Sequence, residues 1–179
     1  TRTVSLNNKN KKIKEVFTRV LQGHLNLANY KLTKNTTGSI LDKIARKDLK
    51  KINLDYAHGT GHGVGYFLNV HEGPQSISKS NKIKLKPGMI LSNEPGYYKL
   101  NHYGIRIENL ILVKEKSDNL LFFENLSWCP IDRDLVKKDV LNKEEIEWLN
   151  KYHSNVYAKL KTYMNDKEKQ WLKIVTAPL

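Results

Sequence analysis

Between residues 59 and 65 every second position is glycine, in the run His58-Gly59-Thr60-Gly61-His62-Gly63-Val64-Gly65. A backbone without Cβ atoms at alternate positions can approach a ligand closely and adopt dihedrals closed to other residues. The run also divides the chain into two kinds of pattern. Before it, Ile13, Val16, Phe17, Val20, Leu21, His24 and Ala28 recur at helical spacing over residues 10–30, with Lys and Arg between them. Gly23 reads there as a mild weakness in the helix interior. A second helix is expected over residues 37–51, with Ile40, Leu41, Ile44, Ala45 and Leu49 on one face and Thr36 or Thr37 as its cap.

After the glycines the period shortens. Phe67–His71, Met89–Glu94, Tyr103–Lys114 and Leu120–Phe123 read as extended segments separated by turn signals such as Lys86-Pro87-Gly88. In Gly104-Ile105-Arg106-Ile107-Glu108 the alternation sends Ile105 and Ile107 to one face, Arg106 and Glu108 to the other. Helical spacing returns from Asn142, where Asn142 and Glu145 form a capping-box pattern, and again over Asp166–Val175. Two helices, an antiparallel-looking sheet and further helices make the fold class α+β.

The 179 residues suffice for one domain with a real core. No apolar run approaches the ~20 residues needed to cross a bilayer, so a membrane partner is not expected. One cysteine, Cys129, excludes an internal disulfide framework and multi-cysteine zinc modules, and favours a reducing compartment. The opening Thr1-Arg2-Thr3-Val4 has neither an initiating Met nor the layout of a signal peptide, so a start in mid-protein is expected. The net charge of +13 is uneven: residues 1–55 carry 13 Lys and Arg against 4 Asp and Glu. Of the 31 basic residues 26 are Lys, without the aromatic platform a nucleic-acid surface would show, and the reading is a solvated surface.

Chemistry concentrates around the glycines. His58 and His62 lie within the run and His71 follows in Val70-His71-Glu72-Gly73-Pro74, whereas His24 reads as a packed core residue and His102 and His153 receive no role. In isolation the run fits a structural turn as readily as a ligand site. It is not a phosphate loop, since no Gly-Lys-Ser/Thr follows. Glu94 ends a strand-like run and Glu108 lies beside Arg106. Carboxylates in a β-rich core are costly to bury unless paired or bound to a metal. For Glu108 a salt bridge to Arg106 or an edge position is the bland alternative. One imidazole and two carboxylates on adjacent strands would make most of a site for a hard cation, manganese or cobalt before structural zinc.

Five segments in order carry a resemblance: His58–Gly65, Asn69–Pro74, Pro87–Ile90, Asn93–Tyr98 and Tyr103–Asn109. Together they resemble X-prolyl aminopeptidase (aminopeptidase P) of the large eukaryotic cytosolic type, a pita-bread metallopeptidase. Thr1-Arg2-Thr3, Leu41-Asp42 and Glu147–His153 fit the same type. The resemblance implies the C-terminal half of a pita-bread catalytic domain over residues 1–125, a curved, mainly antiparallel sheet flanked by helices, and a helical extension over 126–179 that makes a dimer contact. It implies His62, Glu94 and Glu108 as metal ligands, Glu108 bridging two ions. It makes His58 and His71 substrate contacts, and His58, His71 and Glu94 catalytic. Arg106 and Asn109 would orient a ligand without binding metal.

The implied reaction removes the N-terminal residue from peptides with proline second, by attack of a hydroxide bridging two divalent metals, manganese first among them. Two aspartate ligands of the family match nothing here; Asp42, Asp48 and Asp55 lie on or beside helices. They are expected upstream, and the chain reads as the C-terminal part of a longer cytoplasmic polypeptide that forms a homodimer. Prolidase, methionine aminopeptidase and a catalytically dead pita-bread binding protein remain the alternatives.

Overall fold

In the computed structural model, residues 1–6, 10–67 and 69–179 are described. The apolar stripe of the first segment folds as α1 (Lys11–Ala28), whose N-cap Asn10 accepts the Lys12 backbone N–H. Phe17, Leu21 and Leu25 of α1 are buried, and so is His24. The second helix, α2 (Gly38–Lys50), crosses α1 so closely that a Cβ on Gly23 would overlap the carbonyl oxygen of Ala45. The glycine expected to weaken α1 is therefore what lets the two helices meet. The buried face of α2 also differs from the expectation. Leu41, Ala45 and Leu49 are buried as read, but Asp42 and Arg46 join them while Ile40 is exposed. Asp42 and Arg46 pair at 2.8 Å, which removes most of the cost of burying either.

The strands, in chain order, are β1 (Leu32–Thr33), β2 (Gly61–His62), β3 (Ser76–Ile77), β4 (Ile90–Asn93), β5 (Gly96–Lys99), β6 (Tyr103–Arg106), β7 (Asn109–Ser117) and β8 (Leu120–Asn125). Their pairings among the described residues are all antiparallel: β1-β8-β7-β4 form one sheet, β2-β3 and β5-β6 two ribbons. The ribbons continue the sheet rather than stand apart. Gly63 bridges Leu91 of β4, joining β2 to the sheet edge. Where β4 and β7 end at the pair Asn93↔Asn109, β5 and β6 resume at Gly96↔Arg106. Two residues on each side, Glu94-Pro95 and Ile107-Glu108, interrupt the ladder, and the sheet curls there into the half-barrel of the pita-bread fold.

Two expectations are corrected by this. Tyr103–Lys114 is not one strand but two, and Arg106 and Asn109 consequently stand on different strands. Of the expected strand Phe67–His71, Leu68 lies outside the described residues and the others are irregular. The alternation of 105–108 nevertheless holds, with Ile105 and Ile107 buried and Arg106 and Glu108 partly exposed on the other face. The turn before β4 needs its glycine, because Gly88 has φ +90°.

The C-terminal helices α3 (Lys143–Leu160) and α4 (Asp166–Val175) both start with a complete capping box, Asn142/Glu145 and Asn165/Glu168. One core joins Phe17, Val20 and Leu21 of α1, Ile105 and Ile107, and Leu149, Tyr152, Val156 and Leu172 of the last helices. A second lies between α2 and the sheet, around Leu41, Ile77, Leu91 and Ile111. His24 is buried as expected. His153 proves buried as well, its Nε2 accepting the Ile131 N–H at 3.0 Å.

Candidate metal centre

The glycine run serves close packing. Cβ atoms on Gly61 and Gly63 would overlap the Ser92 carbonyl and the carbonyls of Glu72 and Gln75, so only glycine lets this segment lie against β4. His62 follows from that contact. Its backbone N–H donates to Ser92 Oγ at 2.8 Å, and Ser92 Oγ in turn donates to Glu94 Oε1 at 2.9 Å. The Glu94 N–H donates to the Thr60 carbonyl at 2.8 Å. One serine thus sets the imidazole-bearing strand against the first carboxylate.

Both glutamates occupy the interruption where β4/β7 gives way to β5/β6. Within a ladder their backbone groups would pair and the side chains would lie in register with a neighbour; at the interruption they turn inward. The Glu108 N–H donates to the Thr1 carbonyl at 3.1 Å, and the Thr1 hydroxyl donates to the Glu108 carboxylate. Burial alone would raise the Glu108 carboxyl. The Thr1 hydroxyl bond, first among the lowering causes, and nearby positive charge, Arg106 included, outweigh it and hold the group below the usual carboxylate range.

Ligand atoms of His62, Glu94 and Glu108 lie within 4.8 Å of one another. His62 Nδ1 is 2.9 Å from the Gly63 carbonyl, which can only accept, so Nδ1 is the donor there and the neutral ring would present the Nε2 lone pair. That Nε2 faces Glu94 Oε1 at 3.5 Å. An unprotonated Nε2 opposite a carboxylate oxygen, with a second carboxylate beside them, is an arrangement that a metal cation between them stabilises, as a proton on Nε2 also would. The donor set therefore fits a divalent metal: two hard oxygens and one imidazole, each within reach of bonds of ~2.0–2.3 Å.

The other expected residues distribute around this trio. His58, His62, His71, Glu94 and Arg106 line one open cleft of about 320 Å³ together with Gly59 and Gly61. The His71 ring is 4.0 Å from that of His62. Arg106 Nη1 lies 3.7 Å from Glu94 Oε2, so the arginine pairs with the first carboxylate rather than with its own neighbour Glu108. Asn109 is fully buried behind the cleft, accepting from Arg2 Nη2 at 2.6 Å and donating to Asn125 at 3.0 Å.

Several contributors carried no sign in the sequence beyond their place in the motifs. Tyr98 Oη lies 3.0 Å from His58 Nε2 and accepts from Arg106 Nε at 2.8 Å, linking two sides of the cleft. Beneath the glycine run, Arg46 donates to the carbonyls of Tyr56 and His58 at 2.7 Å each and to Asp55 at 2.6 Å. Asp42 accepts from Thr60 Oγ1 at 2.7 Å. Asp42 and Asp55 thus brace the loop from below while Asp48 bonds Asn26 and Lys51, and none of the three lines the metal-facing cleft. Only the Leu41-Asp42 match hinted at this.

On this half-barrel sheet the histidine of β2 and the two glutamates at the interruption make a candidate metal centre. The model of metallopeptidase family M24 matches residues 1–115, and that of the C-terminal region of peptidase M24 matches residues 119–179. The chain belongs to metallopeptidase family M24. It is similar to Aminopeptidase P2 of Arabidopsis thaliana, 47% identical over 189 residues that cover 100% of this chain and 27% of that protein. A probable Xaa-Pro aminopeptidase P of Coprinopsis cinerea is 47% identical over 175 residues, covering 91% of this chain and 28% of its own length. The chain thus spans under a third of the relatives it matches. Among solved structures, the X-prolyl aminopeptidase of Caenorhabditis elegans, described as a cytosolic enzyme with a di-nuclear active site, superposes with TM-score 0.91 at 41% identity, over 99% of this chain and 30% of that one. The Xaa-Pro dipeptidase of Bacillus anthracis superposes with TM-score 0.63 at 29% identity, over 73% of this chain and 35% of that one.

Proposed function

We propose that this chain is the C-terminal part of a metal-dependent aminopeptidase that removes the N-terminal residue from peptides with proline at the second position. The observation that carries the reading is the convergence of the ligand atoms of His62, Glu94 and Glu108, the first two of which line one cleft with His58, His71 and Arg106. Likeness over the whole chain, C-terminal region included, to proteins named aminopeptidase P favours this reading.

His62, Glu94 and Glu108 would hold the ions, manganese before other metals, together with two aspartates upstream. A divalent pair there supplies a lowered water pKa and polarisation of the scissile carbonyl. The chain's own groups do the rest. His71 donates to the carbonyl oxygen as it gains negative charge, a bond that strengthens toward the transition state. His58, held by Tyr98, contacts the substrate from the opposite side of the cleft. Glu94, its second oxygen beside Arg106, takes up a proton and passes it to the departing proline nitrogen. That nitrogen lacks an N–H in the substrate, so recognition of the X-Pro bond cannot rely on a backbone donor.

The complete enzyme is proposed to be cytoplasmic and a homodimer. Within the extension expected to make the dimer contact, Leu149 and Leu172 belong to the chain's own core, and Trp148 stacks on Tyr152. Trp171 and Ile174 of α4 remain exposed beside a cleft of about 360 Å³ that Val4 also lines, and they support the dimer contact. The test is hydrolysis by the full-length protein, stripped and reloaded with manganese. Release of the first residue from X-Pro-Y tripeptides is expected. Cleavage of X-Pro dipeptides alone would favour prolidase, release of methionine from Met-Ala peptides the methionine aminopeptidase reading, and no turnover with any metal the binding-protein reading.

A further inference from the structure

Glu94 and Glu108 are held by different devices. The backbone at Glu94 is fixed within the sheet, through Thr60 and Ser92. The backbone at Glu108 is fixed from outside it. Its carbonyl accepts Arg2 Nη1 at 2.6 Å, and the same guanidinium reaches Asn109 Oδ1 at 2.6 Å, Tyr152 Oη at 2.7 Å, Cys129 O at 2.9 Å and Pro130 O at 3.1 Å. One planar group thus ties the interruption in the sheet to the segment 129–130 and to helix α3. Tyr152 supplies the far end. Its ring is stacked between Trp128 (17° at 5.7 Å) and Trp148 (9° at 5.4 Å), so the hydroxyl cannot swing away. That oxygen accepts from Arg2 and from the Cys129 N–H at 3.2 Å.

We propose that Arg2 and Tyr152 are positioning residues through which the C-terminal region sets the Glu108 carboxylate for metal binding. Rotation of the peptide plane at Glu108 would carry the carboxylate with it, and a shift of ~0.5 Å is enough to spoil a ligand's geometry. The fork of Arg2 resists that rotation because its N–H groups leave in fixed directions, a constraint that a lysine ammonium cannot reproduce. A site with all its ligands present therefore still depends on a hydroxyl from α3. This inference rests on the metallopeptidase reading of the site.

The test is made on the full-length protein, stripped of metal and titrated calorimetrically with manganese. Tyr152→Phe keeps the ring stack and removes only the oxygen. It should weaken manganese binding about tenfold, the lower end of what losing a partner of a metal ligand costs. Activity at low manganese should fall in step and return with excess metal, leaving KM for the peptide unchanged. Arg2→Lys should weaken binding at least as much, and the double variant no more than Arg2→Lys alone. Leu172→Ala, a core truncation, should lower the melting temperature without moving manganese affinity, which separates positioning from bulk stability. Manganese affinity unchanged in both Tyr152→Phe and Arg2→Lys, while the wild type binds and cleaves, overturns this proposal alone. A wild type that binds no divalent metal overturns the peptidase reading and this proposal with it.

Discussion

At the scale of single residues, His62 and His71 make an instructive pair: rings 4.0 Å apart, with different expected consequences. His62 stands on β2 with Nε2 turned to Glu94, whereas His71 comes from an irregular segment at the cleft's rim. Replacing His62 by Ala in the full-length protein should abolish metal loading and activity together. Replacing His71 by Ala should leave metal content near normal while kcat falls about 10²–10³-fold, the loss typical of one oxyanion donor. Metal analysis beside X-Pro hydrolysis decides it; full loading of the His62 variant, or full activity of the His71 variant, would reverse the roles. Two other histidines govern stability. Burial, with Arg2's charge second, pushes His24 down to about 3; burial, with Arg133 and Arg2 next, pushes His153 down to about 4. Unfolded, each takes up a proton near its ordinary 6.5. The unfolded state therefore binds more protons below that value, and stability present above it is lost as the pH falls toward 3–4. Urea midpoints should drop between pH 7 and pH 5, and equal midpoints would contradict neutral buried rings.

At the scale of elements, what was legible depended on whether the signal was local. The capping box of Asn142 and Glu145, the stripe of α1 and the alternation of Ile105 and Ile107 rest on neighbouring residues, and the structure shows all three. The interruption between β6 and β7 was not legible, because Ile107-Glu108 continues the same alternation. It is imposed from across the sheet, where Glu94-Pro95 breaks the partner strand and Thr1 takes the Glu108 amide. The packing role of Gly23 is hidden from the local sequence for the same reason: its cause, Ala45, is on another helix. The glycine run yields a sharp expectation. Gly61→Ala would place a methyl against the Ser92 carbonyl and push β2 off β4, since backbone cannot yield as a side-chain tip does. A loss of 1–3 kcal/mol, usual for overpacking, is expected together with weaker manganese binding, because Ser92 also orients His62 and Glu94. Calorimetric melting beside metal titration checks both; a variant with wild-type values in each would refute the close-packing account.

At the scale of the whole molecule, the C-terminal helices share one core with α1 and with the strand that carries Ile105. Their surplus apolar surface lies instead around Trp171 and Ile174. If that surface is the dimer contact, Trp171→Glu in the full-length protein should sediment as a monomer at micromolar concentration while still binding manganese. A wild type that sediments as a monomer would remove the dimer. The amino-acid sequence by itself determined most of the element types, the α+β class and the identity of the histidines and Glu94 that meet in the cleft, because periodicity, capping and short motifs are properties of neighbouring residues. The tertiary structure alone decided that Glu108 stands in a break rather than mid-strand, and that Arg46, Ser92 and Tyr98 brace the histidines and Glu94. It also decided that an arginine at position 2 and a tyrosine at 152 hold the same peptide. Apart from the one between Ser92 and Glu94, these contacts join residues from 12 to 150 positions apart along the chain. No local pattern encodes them, because they arise only when burial of the two cores brings those segments together.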